Sequence, residues 1–160
     1  MAHVHNPELL PVADVLPHRP PRLWLDGVEE LSPGVFVRGF WTPAEEQFDG
    51  HFPGEPVLQG VQQIEAIAQL GGYAAMYEQP GELGVLFGST DTEFKSPVFP
   101  GDTLELYVGF AEQRRKSLFE GVGQAMVNGV VVCESKISGR IMPKSTLNRI
   151  LQAARDQRTA

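Results

Sequence analysis

In FDGHFPGEPVLQGVQQIEAIAQ, residues 48–69, a histidine stands among glycines and prolines, and Glu65, the one carboxylate of the helix-like run, follows it 14 residues later (65 − 51). An imidazole titrates in the range a general base needs near neutral pH. Pro53, Gly54 and Pro56 restrict or specialise the backbone beside His51, so this loop can hold the ring in one orientation. Glu65 falls in an otherwise uncharged, helix-like run, near Val61, Ala68 and Gly72 on its apolar stripe. A carboxyl desolvated on such a stripe holds its proton and can act as an acid. Gly60 stands where that helix begins. First-turn N–H groups lack intrahelical partners and carry partial positive charge. A glycine there lets a ligand oxygen approach closely, which suits a thioester carbonyl gaining negative charge.

A base, an acid and an oxyanion site are the equipment for removing a proton beside a carbonyl and expelling a β-hydroxyl as water. The plainer reading is a structural loop histidine, a solvent-facing glutamate, and a wet helix side marked by Gln62, Gln63 and Gln69. Residue types and spacing alone leave both open.

The surrounding elements must position these groups. RLWLDGVEEL and VFVRGFW read as two strands, the second alternating Val35, Val37, Gly39 and Trp41 on one face, with Pro33-Gly34 as the turn between them. VQQIEAIAQLGGYAAMYE reads as one long helix, with Val61, Ile64, Ala68, Gly72 and Ala75 on a stripe widened by Ile67, Leu70 and Ala74. LGVLFGSTDTEF, DTLELYVGFAEQ, KSLFEGVGQAMV and VVVCESKISGRIM read as four further strands, the last two joined by Asn128-Gly129, a strong hairpin signal. The expected fold is α+β, an antiparallel sheet with one central helix. No repeat or linker divides the chain, so 1–160 reads as a single domain. Residues 1–15 form its lead-in, with a short helix expected within Pro7–Val15, and residues 143–160 form a helical tail presenting Leu147, Ile150, Leu151 and Ala154.

Composition narrows the partners. Twenty acids against 13 bases give a formal charge of −7, which argues against a nucleic-acid binder or adhesion to an anionic membrane. The one cysteine, Cys133, excludes an internal disulfide and reads as a packed thiol in a strand. The N-terminal stretch lacks a signal-peptide pattern, and no apolar segment approaches the roughly 20 residues of a membrane helix. The expected location is the cytoplasm. His3 and His5 could catch a metal but are expected to be disordered.

GHFPGEPVLQGVQQIEAIAQ resembles the signature of the FabZ-type 3-hydroxyacyl-acyl-carrier-protein dehydratases: GHFPG-x-P-x-x-PG followed by EA-x-AQ. LPHRPP, LWLDGV, TEFKSPVFPGDTL and NGVVVCES extend the likeness over about residues 16–141. The resemblance implies a hotdog fold, with the sheet wrapped around the helix. It also implies catalysis by His51 and Glu65, with Gly60 offering its N–H to the thioester carbonyl and Gln59 and Gln63 near the substrate. The active site is expected between two subunits of a homodimer, which in turn could assemble as a trimer of dimers. The acyl group would arrive on the phosphopantetheine of acyl carrier protein, with no metal or redox cofactor.

The chain departs from the pattern at Gln59, where proline is usual, at Gln62 and Gln63, usually aliphatic, and at Gly27, usually arginine. These departures suggest specialised acyl groups, or else glutamines that bond one another or lie on a dimer surface. Arg114, Arg115, Lys116 and Lys95, helped by Arg22, are the candidate patch for an acidic carrier. His18 is expected to be structural. The rival readings are a hotdog thioesterase, which generally lacks the HFPG loop, and a non-catalytic hotdog subunit.

Overall fold

Alternation along the chain becomes one six-stranded antiparallel sheet: β1 (Gly27–Ser32), β2 (Phe36–Trp41), β3 (Leu83–Phe94), β4 (Leu104–Phe110), β5 (Leu118–Val127) and β6 (Val130–Pro143). Their order across the sheet is β1-β2-β4-β5-β6-β3. The computed structural model of the protein describes residues 2–111 and 117–159. Three helices accompany the sheet: α1 (Val12–Val15), α2 (Gly60–Met76) and α3 (Lys144–Thr159). The Asn128-Gly129 turn has φ of 50° and 75°, the left-handed pair that matches strand twist, and sets Val127 opposite Val130.

The sheet curls around α2, which packs against β2, β3, β4, β5 and β6. Register places Val37 opposite Val108, Gly39 opposite Leu106 and Trp41 opposite Leu104, so the inward residues of β2 and β4 form one apolar surface. Ile67 and Leu70 of α2 are completely buried beneath it. Buried loop residues Leu16, Leu25 and Leu58 belong to the same core, which is why the helix is enclosed on most sides.

Four local expectations need correction. The first strand starts only at Gly27, because the Trp24 N–H bonds a helix side chain and not a neighbouring strand. Val35 is exposed, since its N–H closes the turn onto Ser32 before β2 begins. The helix stripe is only partly as expected: Ile67, Ala68, Leu70 and Gly72 are buried, but Val61 is 64% exposed, and Gln63, Ala66 and Tyr73 join the buried face. His3 and His5 are ordered and act as pins. His3 bonds Glu29 (Nδ1 to Oε1, 3.0 Å) and stacks on Phe40, and His5 Nδ1 accepts the Val28 N–H at 3.0 Å.

Cys133 is fully buried, and burial, with Glu134 adding to it, pushes its thiol up to about 11. A thiol so protonated and enclosed is packing, as its strand position predicts. The tail helix α3 docks by its first turns. Lys144 N–H bonds Glu82 O at 2.8 Å and Leu147 sits on Gly84, whereas Ile150 and Leu151 remain exposed. Among the described residues no helix is long and apolar enough to cross a membrane.

Candidate active site

The His51 loop is built from its own backbone. Val57 N–H bonds His51 O (2.8 Å), Phe52 and Glu55 exchange two bonds of 3.1 Å, and Leu58 N–H bonds Val98 O (2.9 Å). Gly50 and Gly54 supply the positive φ values, 76° and 83°, that these turns require. His51 Nδ1 lies 2.8 Å from the Val57 carbonyl, which can only accept, so Nδ1 carries the proton. The lone pair is therefore on Nε2, the nitrogen a base would use. The ring also stacks on Phe52, with centroids 4.1 Å apart.

Glu65 is oriented by Gln69, one turn along α2. Gln69 Oε1 accepts the Trp24 N–H at 2.8 Å, which fixes the amide's sense, so Nε2 must face Arg22 O (2.8 Å) and Glu65 Oε1 (3.0 Å). His18 Nε2 approaches the same Glu65 oxygen at 3.8 Å. Within one chain Glu65 is half-exposed, its side chain keeping 43% of its exposure. It opens into a cleft of about 450 Å³ whose walls include His18, Gln69, Met76, Val85 and Phe87.

Sequence reasoning missed Gln69 as the partner of Glu65. The signal for Gln69 was its place four residues after Glu65, one helical turn away. Gln69→Leu removes the carboxylate's donor and leaves the Trp24 N–H and Arg22 carbonyl unpaired. We expect urea unfolding to show a loss of about 1–3 kcal/mol for each stranded group. Turnover by the folded remainder should fall about tenfold, the worth of one charge-assisted hydrogen bond. Unchanged turnover would remove Gln69 from the site.

Gly60 opens α2 as the sequence suggests, and a Cβ there would lie 2.7 Å from the Phe94 ring, so no side chain fits. Gln59 caps the helix with φ −63°, the angle proline would impose, and makes no side-chain cap. The supposed wet side is in fact buried: Gln62, Gln63 and Gln69 are 8%, 3% and 2% exposed. Gln62 Nε2 donates to Gln47 Oε1 at 2.6 Å, while Gln63 Oε1 has no partner among the described residues. Gly27 cannot hold the usual arginine in this packing, because the Phe40 ring and His5 Cβ fill the space at 2.7 and 2.9 Å.

Within one chain these groups are not gathered. His51, Gln59, Gly60 and Gln63 do not line the cleft that holds Glu65. Lys95 pairs with Glu93 at 3.4 Å, and Arg114, Arg115 and Lys116 lie outside the described residues.

A sheet wrapped around one buried helix is the hotdog fold, and a loop histidine with a helix carboxylate is the equipment of an acid–base enzyme. The FabA-like domain family matches residues 16–136. A 3-hydroxyacyl-[acyl-carrier-protein] dehydratase FabZ of Roseiflexus sp. (strain RS-1) is 42% identical over 127 residues, covering 77% of this chain and 88% of the relative. The FabZ of Salmonella arizonae is 39% identical over 139 residues, covering 83% and 91%. Among solved structures, the dehydratase heterocomplex ApeI:P of Xenorhabdus doucetiae is similar with a TM-score of 0.75 at 17% identity, over 89% of this chain and 97% of that one. A thioesterase-superfamily member of Thermus thermophilus has a TM-score of 0.66 at 11% identity, over 80% and 96%. At these identities the two structures share the fold alone. The chain belongs to the FabA-like family, among its FabZ-type 3-hydroxyacyl-[acyl-carrier-protein] dehydratases.

Proposed function

We propose that the protein dehydrates (3R)-3-hydroxyacyl thioesters of acyl carrier protein to trans-2-enoyl thioesters, in a homodimer whose two active sites each draw on both chains. His51 Nε2 takes the C2 proton. The carbonyl oxygen gains negative charge toward the Gly60 N–H, and Glu65 of the partner subunit gives a proton to the departing 3-hydroxyl, which leaves as water. One proton is removed and one delivered, so the chemistry asks for no metal or redox cofactor. The phosphopantetheine arm belongs to the substrate. Lys95, with Arg114, Arg115 and Lys116, is our candidate docking patch for the acidic carrier. The enzyme works in the cytoplasm on this reading.

The observation that carries the shared site is the edge strand. On the far side of β6, β3 has no partner strand among the described residues, and it exposes Phe87 and Phe94. Such an edge invites pairing with a second copy. Near one end of β3, Phe94 packs on Gly60, and the following Val98 tethers the loop that carries His51. Toward the other end, Val85 and Phe87 wall the Glu65 cleft. Antiparallel pairing of β3 with its copy about a two-fold axis sets one end against the other. The His51 loop of one chain then meets the Glu65 cleft of its partner.

The test follows ultraviolet absorbance as the protein meets 3-hydroxybutyryl- and crotonyl-carrier protein. Interconversion in both directions is the expected result. Inertness toward these and toward longer, aromatic and polyene acyl groups would leave a non-catalytic subunit in its place.

A further inference from the structure

The Glu65 cleft has a wall that the family match does not account for. It runs along α2 from Glu65 past Ala68 and Gly72 to Met76, a length of about 16 Å at 1.5 Å per residue. At the Met76 end the lining passes to the start of β3, at Leu83 and Gly84, and then to Lys144, Leu147 and Asn148 of α3. Residues 144–159 lie beyond the 16–136 that match the FabA-like family.

Leu147 is the contact that seats α3 at this end. Its side chain occupies the space a Cβ on Gly84 would need, so α3 is seated on β3 without a gap. Lys144 N–H to Glu82 O (2.8 Å) ties the first turn of α3 to the approach to β3. A side chain so fixed is a stop and not a mobile flap, and dense packing resists displacement.

We propose that α3 is the end wall of the acyl pocket, with Leu147 as the residue that limits how far an acyl chain reaches from Glu65. This rests on the dehydratase reading above. Acyl groups that end at or before Met76 fit, and longer ones meet the Leu147 side chain. The substrate class is therefore 3-hydroxyacyl groups whose chain beyond C3 is no longer than this run of α2, about 16 Å, restricted by a segment appended to the family's domain.

The experiment measures kcat/KM of the full-length protein on a series of 3-hydroxyacyl-carrier proteins from butyryl to arachidoyl length. Wild type should fall off sharply once the extended chain beyond C3 exceeds about 16 Å. Leu147→Ala should extend the profile, raising kcat/KM about fourfold for each methylene newly buried, with butyryl activity little changed. Leu147→Trp should shorten it, which covers the case in which the alanine variant is poorly folded. Profiles of both variants that superimpose on wild type would overturn the inference while leaving the dehydratase intact. A wild type that handles all lengths equally would overturn it too. Wild type inactive on every member would instead overturn the dehydratase reading on which it stands.

Discussion

His51→Ala lowers kcat/KM on a 3-hydroxyacyl-carrier protein by about 10²–10⁴-fold, the usual contribution of a positioned acid–base group. The effect is expected to be chemical and not structural. The loop that carries His51 is closed by backbone bonds, among them Val57 N–H to His51 O, and alanine keeps that carbonyl. The variant loses only the ring's stacking on Phe52 and its bond to the Val57 carbonyl. Circular dichroism and the thermal midpoint should therefore stay near wild type while absorbance shows the enoyl product forming far more slowly. Activity within tenfold of wild type would move the base elsewhere. His18, which approaches the Glu65 oxygen from the same cleft, would be the next residue to change.

The second large effect is a recovery. Glu65→Gln alone should be as impaired as His51→Ala, because the amide has no proton of the needed acidity to give. Coexpressing the two inactive chains produces mixed dimers with one site doubly damaged and one site wholly intact. Random assembly makes half of the dimers mixed, each with one working site of two, so about one quarter of wild-type activity should return. Differently tagged chains allow the mixed species to be purified, where about half should return by the same symmetry. No recovery in purified mixed dimers would place both residues of a site in one chain and end the edge-strand account of how they meet.

Much of the fold was legible because periodicity reports burial directly. Leu104, Leu106 and Val108 alternate and are buried, and Asn128-Gly129 takes the left-handed turn its residue types favour. The helix face was read less well, because hydropathy cannot see partners. Gln69 is nearly sealed from water since its amide is bonded to Arg22, Trp24 and Glu65, and Gln62 finds Gln47. Val61 is apolar yet exposed because none of the described residues covers the outer side of the first helical turn. His51 and Glu65 could be named from their motif, and the resemblance led us to expect them on different subunits; within one chain the structure leaves His51 outside the Glu65 cleft. Gly27 was noted as a lost arginine. Its reason lies in Phe40 and His5, which are distant in sequence and crowd that position.

Gly123 on β5 gives Ile67 its place: a Cβ there would collide with the Ile67 side chain, so the helix rests directly on bare backbone. Ile67 lies two residues from Glu65 on the same rigid rod. The depth at which the carboxylate sits is thus gauged from the far side of the helix, by an atom the sheet lacks. A single methyl group added at this hidden position would lift the helix and move the Glu65 carboxylate without touching it.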